Sequence, residues 1–250
     1  MARQSEPFAR QTVGVPVLIT RPEAEARAFA GLLKQRFGGQ VRPVVAPLMA
    51  PRFLDATLPT GDFAGVIFTS VQGVEGARRL GPGLPTLAFC VGQKTAHVAR
   101  AAGFEARSAD GDAEALLALI LANRPAGKLL HIRGQDTRGD LEERLNSAGI
   151  ETESLIVYQQ EPLPLNKEAE ALLLSVGRII VPVFSPRTAA ILAAALPSGF
   201  KAGLDFVAMS PSVAHALAGA PRDALVISRQ PDAEGVLDAI GTLLAASPMP

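Results

Sequence analysis

Residues 15–39 read VPVLITRPEAEARAFAGLLKQRFGG, and this stretch decides the fold class. It opens with the β-rich run VPVLIT, and the residues that follow place apolar side chains at helical spacing, in a stripe formed by Ala26, Phe29, Ala30, Leu33 and Phe37. Two adjacent glycines then end the helical pattern. The stretch therefore predicts a strand followed by an amphipathic helix that packs on a sheet.

The same order of strand and then helix recurs along the chain. Further β-rich runs, each followed by a segment of helical period, are GVIFTS (65–70), TLAFCV (86–91), KLLHIR (128–133), RIIVPVFS (178–185), LDFVAMS (204–210) and ALVIS (224–228). Repeated alternation of this kind is typical of α/β proteins with parallel strands. We expect mainly parallel sheets flanked by helices.

A weak internal repeat predicts two similar lobes. Residues 20–33 resemble residues 132–145, with Arg21 over Arg133. Three later matches keep the same order along the chain, namely Phe68 over Phe184, His97 over His215 and Glu114 over Glu234. A slowly drifting offset is expected when loops are inserted between duplicated units, and chance similarity among alanine-rich helices is the alternative. Ligands of such proteins usually lie at the carboxyl ends of parallel strands, which here would face a cleft between the lobes.

Composition limits the classes of partner. Apolar residues make up 48% of the chain and charged residues 19%, which is typical of a globular protein. The 24 basic and 24 acidic side chains cancel, so no overall field attracts nucleic acid or an anionic membrane. The single cysteine, Cys90, forms no internal disulfide, fits a reducing compartment and is expected to be a buried small apolar residue. Residues 1–15 are expected to form a flexible tail without the apolar segment of a signal peptide.

Several kinds of catalytic site lack their sequence motifs. No G-x-G-x-x-G follows a strand and no G-x-x-x-x-G-K-[ST] occurs, so dinucleotide and P-loop nucleotide binding are disfavoured. The three histidines lie far apart, and no His/Cys cluster has zinc spacing. No G-x-S-x-G nucleophile motif is present either. We expect no metal and no cofactor.

Hydroxyl and arginine side chains follow many of the predicted strands. They are Thr20, Arg21, Thr69, Ser70, Thr95, Arg133, Ser185, Arg187, Ser210 and Ser212. Backbone N–H groups and the helix dipole at such turns favour bound anions. The alternative is that the hydroxyls only cap helices. Because the pattern recurs in both lobes together with arginines, it favours a polyanionic ligand.

Tyr158 is the only tyrosine of the chain. It ends the apolar run SLIVY and precedes the proline-bearing segment QQEPLP, so we expect it at a strand end. A tyrosine in such a place is usually a packing residue with a solvated hydroxyl. Alternatively, a phenol that faces the ligand can act as a general acid toward a departing hydroxide.

Several stretches, taken in order over about residues 17–245, resemble the uroporphyrinogen-III synthases. They are VLITRPEAEARAFAGLL (17–33), DFAGVIFTSVQGV (62–74), CVGQKTAHVARAAGF (90–104), IRGQDTRGDLEERLNSAGI (132–150) with the following VY, and VFSPRTAAIL (183–192). The resemblance implies a cytoplasmic, cofactor-independent hydro-lyase of porphyrin and heme biosynthesis. Such an enzyme cyclises the linear tetrapyrrole hydroxymethylbilane to uroporphyrinogen III, with loss of water and inversion of ring D.

The resemblance also implies a discontinuous domain arrangement. The first lobe would comprise residues 16–43 and 164–250, the second residues 48–157, and residues 44–47 and 158–163 would connect them. Prolines interrupt the strand pattern at both connections. Composition alone places the boundary near residue 125 instead.

Individual site residues carry over by position. The resemblance implies that Thr69, Ser70 and Thr95 bind substrate and that Tyr158 assists the loss of hydroxide. Arg21, Arg133, Ser185, Ser210 and Ser212 complete the expected binding set.

The sequence departs from the family pattern in two places. Gln72-Gly73 stands where Asn-Ala is frequent, and Ser210-Pro211-Ser212-Val213 replaces a Gly/Thr-rich loop. A hydroxyl contact at 213 is therefore in doubt, and Ser212 is the substitute.

The expected partner is hydroxymethylbilane, bound by a monomer that contacts the preceding enzyme of the pathway transiently and binds neither nucleic acid nor membrane. A different hypothesis is a non-catalytic two-lobe sensor of tetrapyrroles or other polyanions, and Val213 is its best support. A cofactor-dependent Rossmann enzyme is disfavoured by the missing glycine motif.

Overall fold

The computed structural model describes residues 14–136 and 139–246. They form two compact units. Unit 1 contains the described residues up to Ala50 and from Pro162 onward, and unit 2 contains Pro51–Glu161.

Pro125 lies inside unit 2, so the composition-based boundary near residue 125 is wrong. The predicted tail lies outside the described residues, apart from its last two positions. The connecting role of residues 44–47 and 158–163 stays a prediction.

The strands and helices alternate over most of the described chain. The strands are β1 (Val15–Ile19), β2 (Val41–Val45), β3 (Met49–Phe53), β4 (Phe63–Phe68), β5 (Leu87–Cys90), β6 (Glu105–Ser108), β7 (Lys128–Gly134), β8 (Thr152–Pro162), β9 (Arg178–Val183), β10 (Gly203–Ala208) and β11 (Ala224–Ile227). The helices are α1 (Glu23–Phe37), α2 (Val71–Ala77), α3 (Gln93–Ala101), α4 (Ala113–Asn123), α5 (Leu141–Ser147), α6 (Lys167–Leu174), α7 (Pro186–Ala195), α8 (Pro211–Ala216) and α9 (Ala233–Ala245).

Each unit has its own sheet. The sheet of unit 1 has the strand order β11-β10-β9-β1-β2, and that of unit 2 has the order β3-β8-β7-β4-β5-β6. Neighbouring strands pair in parallel from β2 to β11 in unit 1 and from β8 to β6 in unit 2. The prediction of an α/β fold with mainly parallel sheets is confirmed.

The two sheets share one topology. When β7 is matched to β1, β8 to β2, β4 to β9, β5 to β10 and β6 to β11, the two strand orders coincide. The sequence repeat gives the same correspondence. Arg21 follows β1 and its match Arg133 lies near the end of β7, while Phe68 ends β4 and its match Phe184 follows β9. The prediction of two similar lobes is therefore confirmed at the level of topology.

Apolar side chains cover both faces of the sheet in unit 2. Phe68, Leu130 and Ile132 pack in one buried cluster, and their strand neighbours Ile67 and Leu129 pack in another. This alternation is expected for parallel strands that carry helices on both faces. Cys90 is fully buried, as predicted, and burial raises the pKa of its thiol to about 11. The thiol is therefore part of the core.

Tyr158 does not end a strand, contrary to expectation. β8 continues to Pro162. The reason lies in the sheet order, because β3 flanks β8 on the side away from β7 and supports it beyond the end of β7. Tyr158 is nevertheless paired with Gly134, the last residue of β7. Its side chain therefore lies level with the carboxyl end of the neighbouring strand.

His131 is a buried polar residue in the middle of this sheet. It pairs with Ile67 of β4 and with Ser154 of β8, and its side chain is 5% exposed. Burial, together with the smaller effect of the nearby positive charge of Arg133, lowers the pKa of His131 to about 4. The imidazole is therefore neutral near pH 7.

The burial of His131 predicts an acid-sensitive stability. An unfolded histidine binds a proton near pH 6.5, whereas folded His131 binds one only near pH 4. The unfolded state is therefore favoured as pH falls through this window, and the loss of unfolding free energy attributable to His131 is about 3 kcal/mol.

Denaturant titrations between pH 7 and pH 4 measure this effect. We expect His131→Gln to remove that part of the pH dependence, while the same change at the exposed His97 leaves it intact. Equal pH dependence in the wild type and His131→Gln would show that His131 is not responsible.

Candidate functional site

A cavity of about 490 Å³ opens at the carboxyl edge of the unit 2 sheet. It lies where β4 and β7 end, and β8 contributes its far wall. The lining residues include both hydroxyls that follow β4, two residues of β7, two of β8 and the first turn of α5. They are Thr69, Ser70, Val91, Ala113, His131, Arg133, Asp136, Gly139, Asp140, Leu141, Glu142, Glu143, Ser154 and Tyr158. Four predicted site residues therefore share one cavity: Thr69, Ser70, Arg133 and Tyr158.

Ser70 combines a structural and a site role. It is the N-cap of α2, where its Oγ accepts a hydrogen bond from the backbone N–H of Gly73 at 3.1 Å. The same Oγ lies 3.0 Å from the hydroxyl of Tyr158. A serine oxygen has two lone pairs and one proton, so both contacts can be made at once. The capping alternative is correct for Ser70, but the cap also holds the phenol.

Three further contacts fix Tyr158. The backbone N–H of Gln135 donates to the carbonyl of Tyr158 at 2.8 Å. A Cβ at Gly134 would lie 2.5 Å from Cζ of Tyr158 and 2.9 Å from its hydroxyl oxygen, so the phenol occupies the space that glycine leaves. The ring of Phe53 packs against the phenol with centroids 6.3 Å apart. The ring is thus held between strands, with its hydroxyl directed at α2.

Close packing of α2 explains one departure from the family pattern. A Cβ at Gly73 would lie 2.7 Å from the carbonyl oxygen of Ile132, which is closer than real Cβ atoms approach. Alanine at this position would push α2 away from β7. Gly73 therefore belongs to this chain's tighter contact between helix and strand.

Thr69 has a different partner from Ser70. Its Oγ1 lies 3.4 Å from Nε2 of His131, and the α2 cap is made by Ser70 alone among these two hydroxyls. His131 was considered in the sequence only as an improbable metal ligand. The sequence analysis did not predict that His131 lies beside the Thr69 hydroxyl. The alternation of side chains along β7 could have indicated it, because it places residues 129, 131 and 133 on one face, the face of Arg133.

The cavity carries charge of both signs. Arg133 donates to the backbone carbonyls of Gly134 at 3.1 Å and Gln135 at 3.4 Å, so its guanidinium is anchored at the end of β7. The cavity is also lined by four carboxyl side chains, those of Asp136, Asp140, Glu142 and Glu143. Glu142 accepts a hydrogen bond from Ser154. The expected rim of donors for anions therefore describes only part of the lining, and the acidic part was not predicted from the sequence.

Thr95 does not line this cavity. It is the third residue of α3, and its side chain is 5% exposed because it lies on the same buried face as Ala96 and Ala99. Thr95 therefore lies in the first turn of the helix that follows β5, near a strand-to-helix turn as expected, and its binding role stays a prediction.

The remaining predicted residues belong to unit 1. Arg21, Ser185 and Ser210 follow the adjacent strands β1, β9 and β10 at the carboxyl edge of that sheet. Ser185 caps α7 by accepting from the N–H of Thr188 at 3.1 Å. Arg21 lies 4.1 Å above the ring of Phe184, and burial lowers its pKa.

The Ser210 segment clarifies the second departure. The hydroxyls of Ser210 and Ser212 lie 2.9 Å apart, and Ser212 is exposed. Val213 is 1% exposed and belongs to the core of unit 1. The side chain at 213 therefore faces the core in this chain. The absence of a hydroxyl there is not evidence against ligand binding.

Two observations concern other kinds of site. Within residues 14–136 and 139–246, no three His, Cys, Asp or Glu side chains are grouped so that they could hold a metal ion. None of the helices in this part of the chain has both the length and the apolar character needed to cross a membrane.

One solved structure shares the fold, and a second is reported beside it. Uroporphyrinogen-III synthetase from Helicobacter pylori is 15% identical, with a TM-score of 0.60, and the match covers 92% of this chain and 100% of that one. A mutant uroporphyrinogen III synthase from Thermus thermophilus is 18% identical, with a TM-score of 0.45 and coverage of 94% and 100%. No curated protein sequence matches the chain.

The family comparison is more specific. The model of the family described as uroporphyrinogen-III synthase HemD matches residues 27–238, which include most of both units. The chain belongs to the uroporphyrinogen-III synthase family.

Proposed function

We propose that this chain closes hydroxymethylbilane to uroporphyrinogen III and that the cavity of unit 2 receives the hydroxymethyl end of the substrate. The observation that carries the assignment to this cavity is the Tyr158 hydroxyl, held 3.0 Å from Ser70 Oγ at the carboxyl edge of the sheet. Ligands of parallel α/β proteins usually bind at such edges. Family membership supports the reaction.

The chemistry needs little from the protein. The pyrrole nitrogen next to the hydroxymethyl group supplies the electron pair that expels the hydroxyl group, and Tyr158 gives its proton to the departing oxygen, which leaves as water. The substituted carbon of ring D then attacks the resulting methylene carbon. The bond from that ring carbon to its original methylene bridge breaks, and the bridge re-forms at the unsubstituted carbon of ring D, which loses a proton that restores the phenol. This exchange of bonds inverts ring D. Since the substrate provides the electrons, no cofactor is required. The main contribution of the protein is orientation, which prevents ring D from attacking in its uninverted sense.

The charges of the cavity suggest how the substrate is oriented. The four carboxyl side chains in the lining would repel the substrate's own carboxylates, whereas the hydroxyls and Arg133 can donate to them. We therefore place the substrate carboxylates toward Thr69, Ser70 and Arg133. The pyrrole N–H groups would then lie toward the acidic side chains, whose negative charge also stabilises the cation formed when hydroxide leaves.

The residues of unit 1 complete the proposal. Arg21, Ser185, Ser210 and Ser212 would bind further carboxylates, with Ser185 acting through the α7 N-terminus that it caps. Thr95 is left out, because its buried side chain does not line the cavity. We also propose a cytoplasmic monomer that contacts the preceding enzyme of the pathway only transiently.

The non-catalytic sensor is not favoured. Its best support was the missing hydroxyl at 213, and that side chain is buried in the core. A coupled assay that generates hydroxymethylbilane and separates isomers I and III distinguishes the two functions. We expect isomer III to form faster than spontaneous closure forms isomer I. Formation of isomer I alone, at the spontaneous rate, would support binding without turnover.

Tyr158→Phe tests the role of the phenol. General acid assistance is typically worth about 10²–10⁴-fold, and a substrate that expels hydroxide easily needs less. We expect the ring-closure rate to fall by up to about 10²-fold while isomer III still dominates, because orientation depends on the other contacts.

Thr152→Val is the matched control for this variant. It also removes one hydroxyl from β8, one that donates to the carbonyl of Ile150 outside the cavity. It should therefore keep the wild-type rate. An unchanged rate in Tyr158→Phe would make the tyrosine a packing residue, and a majority of isomer I would mean that it controls orientation.

Ser70→Ala should reduce both stability and turnover. Loss of the α2 cap costs about 0.5–2 kcal/mol of unfolding free energy, and loss of the contact to Tyr158 frees the phenol. Asp232→Ala is the matched control, because Asp232 caps α9 by accepting from the N–H of Gly235 at 2.8 Å. Thermal melting and the isomer assay should show that Asp232→Ala loses stability alone. If Ser70→Ala behaves in the same way, Ser70 is only a cap.

A further inference from the structure

His131 is a buried polar residue of the cavity lining that the mechanism above leaves unused. Its strand neighbours Leu129 and Ile67 belong to an apolar cluster, and an aliphatic residue at 131 would continue that cluster. Burial of an imidazole without a hydrogen-bonding partner is costly. The partner that the structure gives it is the hydroxyl of Thr69, at 3.4 Å from Nε2.

Both members of this pair line the cavity. Thr69 directly follows β4 and is half-buried, and the α2 cap is provided by Ser70. The Thr69 hydroxyl is therefore not needed to start the helix. A threonine hydroxyl has one proton, so its direction decides whether Thr69 offers a donor or only lone pairs to a ligand.

We propose that His131 is a positioning residue for Thr69, and that its Nε2–H donates to Thr69 Oγ1 so that the Thr69 proton points into the cavity toward a substrate carboxylate. This inference rests on the proposed function, because a polyanionic substrate needs a donor at this wall. With the other tautomer, Thr69 would donate to Nε2 and present only lone pairs, which repel a carboxylate. Neutrality of the imidazole suits the role, because its hydrogen bond then does not change with pH near neutrality.

The kinetics of hydroxymethylbilane closure test the role of the His131 side chain. The proposal expects His131→Phe to lower kcat/KM by about 3- to 10-fold, the range of one neutral hydrogen bond, mainly through KM. His131→Gln should retain most of the activity, because its amide N–H can take the place of Nε2–H. His97→Phe and His97→Gln are matched controls on the exposed face of α3, and both should keep the wild-type rate.

A double-mutant cycle tests whether His131 acts through Thr69. In a Thr69→Val protein, His131→Phe should cause no further loss of kcat/KM, because the hydroxyl that it positions is gone. Additive losses would overturn the proposal, as would a His131→Phe protein with wild-type kinetics. If the wild type itself makes no uroporphyrinogen III, the proposed function fails instead, so the two failures are distinguishable.

The tautomer of His131 can be determined by NMR on the wild-type protein. Nitrogen-15 correlation spectra at pH 7, assigned with His131→Gln, report which ring nitrogen of His131 carries the proton. The proposal requires protonated Nε2 and unprotonated Nδ1. Protonated Nδ1 would overturn it, and this reading does not depend on the folding of His131→Phe.

Discussion

The pairing of β7 with β4 on one side and β8 on the other is the constraint on which the unit 2 site depends. The register places His131 beside Ile67, one residue before the end of β4, and Gly134 beside Tyr158. Backbone hydrogen bonds alone therefore bring Thr69, His131 and Tyr158 to the same edge of the sheet. A one-residue slip of β7 would place Gly134 away from the phenol and turn His131 to the opposite face.

Small residues allow close packing at this edge of the sheet. Gly134 leaves room for the phenol of Tyr158, and Gly73 lets α2 approach the carbonyl of Ile132. Ser70 then links both features, since its oxygen caps α2 and contacts the tyrosine. Local packing, helix capping and the orientation of the Tyr158 hydroxyl are thus connected through Gly134, Gly73 and Ser70.

The sequence predicted the parts of the site that follow from topology. Ser70 and Arg133 were found because parallel strands end at one edge, and the repeat predicted which strands correspond. The prediction that Tyr158 ends its strand is wrong because β8 continues beside β3. β3 itself could not be recognised in the sequence, since it has five residues and contains a proline. The burial of Thr95 could not be predicted from its place near a strand-to-helix turn, because it depends on the face of α3 that Thr95 shares with Ala96 and Ala99. The place of the α5 carboxyl groups in the cavity could not be predicted, since it depends on how α5 packs beside β8, where Glu142 accepts a hydrogen bond from Ser154.

The central claim is that substrate binds against Tyr158, and the composition of the chain allows a direct measurement. Because the chain has one tyrosine, protein labelled with 3-fluorotyrosine has a single fluorine resonance. The resonance should shift as the product, uroporphyrinogen III, is added under anaerobic conditions, with a midpoint that matches the affinity from calorimetry. Saturation by calorimetry with an unmoved fluorine resonance would place the ligand elsewhere and contradict the account.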